Sequence, residues 1–245
     1  GFGLALSYLT IIVVINSFNL IDGIDGLAAG LGILTMSVFG SYFIVTGYEA
    51  YAILAFSMVG SLIAFLIFNH HPAKIFMGDS GSLMIGLINA ILVIKFINIA
   101  NDPLVAVPVP SAVAIGFAIL IVPLLDTLRV FSIRIFNARS PFTPDRNHVH
   151  HLLLGKGLGH VGVTLTCVSV NAGFILIAWF GRSLGPNYLL LLMLALAFSG
   201  IGLLYFRRKT KRMVIAKGLT GINGQLNAPS KIVTLTQEAQ VADKN

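Results

Sequence analysis

Asn16, Asn19, Asp22 and Asp25 recur at three-residue spacing where an apolar run ends, interleaved with Gly23 and Gly26. Two amides and two carboxylates offer oxygen donors to a hard cation and charge-assisted hydrogen bonds to ligands. Burying one carboxylate at a bilayer centre costs about 2.5–3.5 kcal/mol on insertion scales, so such groups at a membrane boundary are functional candidates. A second constellation, Asn69-His-His-Pro-Ala-Lys74-Ile-Phe76-Met-Gly78-Asp79-Ser-Gly-Ser82, again lies just before an apolar run. There Asp79 is placed to present a carboxylate to a cation such as Mg²⁺, which is commonly shared with substrate phosphates. A third, Ser140-Pro-Phe-Thr-Pro-Asp145-Arg146-Asn-His148-Val-His150-His151, sets an arginine beside three histidines. That composition suits phosphates held by Arg146, with imidazoles as hydrogen-bond donors or proton carriers. In a helix His148 and His151 share a face; in extended chain His148 and His150 do.

Each constellation has a plainer reading. The first could be a helix C-cap followed by an Asp N-cap, which accounts for one Asp but not for both with two amides. Ser80 or Ser82 could simply cap a helix, and Phe76 could be an interfacial aromatic. The histidines could form a solvated loop. Zinc is the reflex assignment for them, but the sequence offers no cysteine or second His pair at a typical zinc spacing.

The elements that position these groups follow from composition. With 56% hydrophobic and 10% charged residues and a mean hydropathy of +0.91, the chain reads as an all-α polytopic membrane bundle. Runs of about 20 apolar residues, the length that crosses a bilayer, fall at 1–20, 27–47, 51–69, 82–100, 111–130, 162–181 and 187–206. Residues three apart on a helix drift by about 60°, so positions 16, 19, 22 and 25 cannot share one face and the segment must unwind. Gly23 and Gly26 are the expected places, because glycine accepts the backbone angles of a helix end.

Seven crossings put residues 21–26, 70–81 and 131–161 and the tail after 206 on one side. Of the 16 Lys and Arg, 14 lie on or beside that side, leaving Arg182 opposite and Lys95 within a span. The positive-inside rule makes it cytoplasmic, so three distant loops deliver their polar groups to one membrane face. Residues 1–206 form the expected transmembrane domain, and 207–245 a basic juxtamembrane segment with a flexible tail. The net charge of +7 is concentrated at Arg207-Arg-Lys-Thr-Lys-Arg212, best read as an anchor on anionic membrane lipids rather than a nucleic-acid surface. The single Cys167 excludes an intrachain disulfide framework. The opening run has neither a basic region before it nor a cleavage site after it, so it is not a signal peptide; with Gly at position 1, an upstream part is expected.

Taken in order, Asn-x-x-Asn-Leu-Ile-Asp-Gly-Ile-Asp-Gly-Leu-Ala, Phe-Met-Gly-Asp-Ser-Gly-Ser-Leu and Pro-Asp-Arg-Asn-His-Val-His-His resemble the polyprenyl-phosphate N-acetylhexosamine-1-phosphate transferase family, from about residue 10 to residue 160. The loop around His148 resembles the bacterial undecaprenyl-phosphate GlcNAc-1-phosphate branch more than the peptidoglycan branch, whose loop carries a continuous His triplet. The resemblance implies transfer of N-acetylhexosamine-1-phosphate from a UDP-N-acetylhexosamine to a polyprenyl phosphate lipid, releasing UMP, in cell-envelope polysaccharide synthesis at the inner membrane. It implies Mg²⁺ as cofactor, with Mn²⁺ as an alternative. By resemblance Asp79 ligates the metal with help from Asn19, while Asp22 and Asp25 organise the nucleotide and phosphate site. Asn16, Gly23, Asn69 and Phe76 fall in the substrate site, Phe76 stacking on the base. Arg146, His148, His150 and His151 hold the diphosphate and sugar.

The family also carries an adjacent pair of aspartates upstream of Asn16, before this sequence begins, so the chain alone is expected to be inactive. A transporter or channel competes, because unwound polar helices also line substrate pathways. It predicts polar residues at midplane on several helices, where this sequence has only isolated ones such as Asn89 and Asn171. A noncatalytic scaffold is the third reading. A homodimer is compatible with all three.

Overall fold

The computed structural model describes residues 1–136, 148–206, 214–215 and 232–233. Contacts divide the chain into two units, Gly1–Tyr205 and Phe206–Asn245. The first is helical: α1 (Phe2–Ile21), α2 (Leu27–Val45), α3 (Glu49–Asn69), α4 (Gly78–Ala100), α5 (Ala112–Ile119), α6 (Ile121–Phe136), α7 (Val149–Leu154), α8 (His160–Phe180) and α9 (Pro186–Phe206). In the second unit the described residues form an antiparallel pair of two-residue strands, Val214–Ile215 with Ile232–Val233. That pairing falls in 207–245, read from sequence as a basic juxtamembrane segment with a flexible tail. The basic run 207–212 lies outside the described residues.

Among the described residues, six helices are long and apolar enough to cross a membrane, and α5 with α6 makes a seventh candidate bent by 81°. The protein is thus a multi-pass membrane bundle. Leu4, Ile67, Phe180 and Leu203 stay largely exposed on its outside, as suits helices whose solvent is lipid.

The bend departs from the unbroken span expected over 111–130, and Pro123 explains it. A helical residue returns its N–H to the carbonyl four positions back; Pro123 has none, and its ring crowds the Ile119 carbonyl. Asn171 of α8 fills the gap: its Nδ2 donates to the Ile119 carbonyl at 2.9 Å, and its Oδ1 accepts the Val122 N–H at 3.1 Å. Non-helical backbone inside a membrane protein survives where neighbours satisfy it in this way.

The bend does not disturb the order of the loops. Ser111, before α5, donates to the Arg182 carbonyl beyond the far end of α8 at 2.9 Å. At the other end of α8, His160 meets the α1–α2 turn. Lys95, the charge within a span, lies over the Tyr48 and Tyr51 rings at 5.3 and 5.2 Å near the ends of α3 and α4 that are remote from the site.

α1 packs on α4 and α6, α2 on α3, and α5 on α8. At Gly86 of α4 a side chain would place its Cβ 2.6 Å from the Ile15 Cα. The bare backbone there lets α1 and α4 approach closely, the usual use of small residues between membrane helices.

Replacing Asn171 by Leu leaves the Ile119 carbonyl and the Val122 N–H without their partner. At about 1–3 kcal/mol for each orphaned group, the variant is expected to lose several degrees of thermal stability in detergent, with Asn171→Asp, which keeps the acceptor, losing less.

Candidate active site

α1 stays helical through Asn16 and Asn19 and stops at Asp22. The chain turns through Gly23 and Ile24 and re-enters a helix after Gly26, whose φ of 76° is left-handed and favours glycine. Gly23 does not need that freedom; its φ is not positive. A Cβ on Gly23 would instead stand 2.7 Å from His150 Nε2, so the glycine makes room for an imidazole rather than for a turn.

The turn is fixed by the buried Asn69 at the end of α3. Its Oδ1 accepts the Gly26 N–H and its Nδ2 donates to the Ile75 carbonyl, both at 2.8 Å. One amide thus ties the α1–α2 turn to the α3–α4 loop. Expected to touch substrate, Asn69 has both ends of its side chain engaged in holding two walls together.

The four polar positions divide. Asn19 points to the start of α4, its Nδ2 donating to Asp79 Oδ1 at 3.2 Å and to Ser82 Oγ at 3.0 Å. Its amide oxygen is the atom left for a ligand. Asp79 stands in the first turn of α4. Ser82 does not cap this helix: it receives Asn19 and contacts the Gly78 and Asp79 carbonyls. Asp22 faces the same space. Burial pushes its carboxyl up to about 6, with the negative charge of Asp79 adding to the rise.

Asp25 turns toward other partners. Its Oδ2 lies 2.6 Å from His71 Nδ1 and 3.2 Å from His160 Nδ1 and accepts the Ala73 N–H at 3.4 Å. Burial works to raise this carboxyl, but the His71 hydrogen bond, the Ala73 N–H and the two histidines outweigh it and hold Asp25 below the ordinary value. Neither aspartate caps α2, which begins without a side-chain cap. Asn16 is exposed and donates from Nδ2 to Ile12 on its own helix at 2.7 Å.

Asn19, Asp22, Gly23, Asp25, Asn69, Phe76 and Asp79 line one cavity of about 300 Å³. Phe76 is 81% exposed, leaving a ring face free to stack. Asn16 is absent from this lining.

The histidine loop reaches the same place from the other side. Asp126, buried on α6, accepts the Val149 N–H at 2.8 Å through Oδ1 and lies 2.9 Å from His148 Nδ1 through Oδ2. The buried His148 and His150 rings stack in parallel, 5.3 Å apart, so the pairing expected of extended chain is the one realised at the entry to α7. His151 belongs to α7, but its side chain, like the whole of Arg146, lies outside the described residues. Asp126 and His150 also border a second, mostly apolar cavity of about 280 Å³ between α6, α7, α8 and α9. His150 thus lines the apolar cavity and packs against Gly23 of the polar one.

Residues 1–97 match the family described as glycosyl transferase family 4. The chain is similar to a probable undecaprenyl-phosphate N-acetylglucosaminyl 1-phosphate transferase of Bacillus subtilis (strain 168), at 36% identity over 63% of this chain and 41% of that protein. It is similar to the undecaprenyl-phosphate alpha-N-acetylglucosaminyl 1-phosphate transferase of Yersinia pestis, at 30% identity over 80% of this chain and 54% of that one. A decaprenyl-phosphate N-acetylglucosaminephosphotransferase of Mycobacterium leprae is 35% identical over 62% and 41%. The chain spans about half the length of these curated relatives.

The family 4 segment contains the first two constellations, and the third lies beyond it. Asp126 was not singled out as a site residue, although a carboxylate within the apolar Leu124-Leu-Asp-Thr-Leu128 stretch is the kind of signal that marked Asp22. His71 and His160, 89 positions apart by their numbering, give no joint signal, since only the fold brings them to Asp25.

Because folding raises the Asp22 carboxyl from 3.8 to about 6, the folded protein binds the proton more tightly than the unfolded chain. Stability therefore falls as pH rises through that window and levels off above it. In EDTA, Asp79→Asn is expected to remove the smaller cause only. Asp22 should then titrate below 6 but above 3.8, read by ¹³C NMR of labelled aspartate, and melting between pH 4.5 and 7 should fall less steeply than in the parent.

Proposed function

We propose that the protein, as a full gene product, transfers N-acetylglucosamine-1-phosphate from UDP-GlcNAc to undecaprenyl phosphate, releasing UMP. The position of His150 carries this reading. A reaction between a water-soluble nucleotide sugar and a lipid phosphate needs a polar pocket and an apolar one close together, and His150 lines the apolar cavity while packing against Gly23, which lines the polar one. The names of the relatives support the same reaction class.

In this reading an oxygen of the lipid phosphate attacks the β-phosphorus of UDP-GlcNAc. The new P–O bond forms as the bond to the α-phosphate bridge oxygen breaks, and UMP leaves with that electron pair. Both reactants are anions, so the site must neutralise charge and hold the groups in line. The oxygen donors of Asp79, Asn19 and Asp22 around one cavity fit a hard divalent cation. Mg²⁺ held by Asp79 and Asn19, or Mn²⁺ in its place, would supply charge neutralisation at the diphosphate. Phe76 stacks on the uracil ring. Asp126 orients His148 through Nδ1, and His150 donates to a phosphate beside Gly23. By the resemblance, Arg146 and His151 would also hold the diphosphate and sugar. The bias of 14 of 16 basic residues to the site's side supports a cytoplasmic active face at the inner membrane, with the run 207–212 on lipid head groups.

UMP release from UDP-GlcNAc and undecaprenyl phosphate should be abolished by EDTA, restored by Mg²⁺ and lowered about 100-fold or more in Asp79→Asn. Asp126→Asn should reduce kcat with a smaller effect on the KM for UDP-GlcNAc. Full activity of Asp79→Asn would remove the metal assignment, and no UMP release from any UDP-N-acetylhexosamine would remove the transferase reading.

A further inference from the structure

Asp25, His71 and His160 come from three separate elements: the α1–α2 turn, the α3–α4 loop and the first residue of α8. Their ligand atoms all lie within 4.8 Å of one another. Nδ1 of both imidazoles lies near the same carboxylate oxygen, at 2.6 Å in a hydrogen bond for His71 and at 3.2 Å without one for His160, and the rings lie 4.5 Å apart at 34°. Two ring nitrogens gathered around one carboxylate oxygen, with the His160 Nδ1 buried and without a hydrogen-bond partner, make a three-ligand cup.

We propose that Asp25, His71 and His160 form a binding site for a borderline divalent transition cation of the Zn²⁺ class, distinct from the hard-cation position at Asp79. Two nitrogen donors and one carboxylate select Zn²⁺, Co²⁺ or Ni²⁺ over Mg²⁺, which prefers oxygen donors in an octahedral shell. Metal–ligand bonds of about 2.0–2.1 Å at tetrahedral angles put ligand atoms about 3.3 Å apart. The His160–Asp25 pair already stands at 3.2 Å, and the His71–Asp25 pair must open by about 0.7 Å from 2.6 Å. His71, on a loop with its side chain 45% exposed, is the ligand free to make that adjustment.

The support is built in. Thr164 Oγ1 donates to the Asp25 carbonyl at 3.1 Å, and the Ala73 N–H reaches the carboxylate. Such outer contacts orient a metal ligand. The exposed side of the cup leaves a fourth position for water, as in open zinc sites.

Co²⁺ titrated into the purified protein in detergent tests this without any turnover, so it succeeds or fails independently of the transferase reading. One equivalent should produce the visible d–d absorption of a four- or five-coordinate ion. Zn²⁺ should displace it stoichiometrically, while a hundredfold excess of Mg²⁺ should not. His160→Gln and, separately, the loop variant His71→Gln should each weaken Co²⁺ binding at least tenfold with helical circular dichroism retained; His148→Gln should leave it unchanged. Absence of the band in folded protein, displacement by Mg²⁺, persistence in both His71→Gln and His160→Gln, or loss in His148→Gln would overturn the proposal.

Discussion

The buried amide of Asn69 bonds the Gly26 N–H on one side and the Ile75 carbonyl on the other. Around it, two stretches of non-helical backbone meet at the end of a membrane bundle. Backbone at that depth persists only if its polar groups are satisfied, and one side chain meets this need for both stretches. The consequence is geometric. With the α1–α2 turn and the α3–α4 loop tied together, Asp22 and Asp79 face one space, and Asp25 meets histidines from two other elements.

The same constraint acts at a second break. Pro123 opens the helix between α5 and α6, and Asn171 closes the resulting gap from α8. The bend redirects α6 so that Asp126 reaches the entry to α7, where it seats His148 and the Val149 N–H. Two buried asparagines within an apolar bundle thus let helices break where the polar groups are needed. The close α1–α4 approach at Gly86 adds the third wall, because it brings Asn19 within reach of Asp79 and Ser82.

The sequence made part of this legible. Apolar run length located the spans, and the drift of a three-residue repeat around a helix required unwinding near residue 22, where α1 ends. Polar residues in costly surroundings pointed to the groups lining the polar cavity. Partnerships formed across the fold were beyond a linear pattern. Gly23 was read as a turn residue when its bare Cα makes room for His150, a contact between residues 127 positions apart by number. The clamp made by Asn69, which also lines the polar cavity, was not legible because it depends on where Gly26 and Ile75 meet. The span over 111–130 was taken as unbroken because hydropathy averages over Pro123.

In the proposed function, Asn19, Asp22, Phe76 and Asp79 enclose a nucleotide-sugar pocket whose Gly23 wall backs onto His150 of the apolar cavity. A cryo-EM map of the full protein with UDP-GlcNAc and Mg²⁺ tests it most directly. The account predicts density with the uracil against Phe76, the diphosphate beside Asp79 and Asp22, and the β-phosphate directed toward His150. Nucleotide density elsewhere, with this cavity empty under saturating ligand, would contradict it.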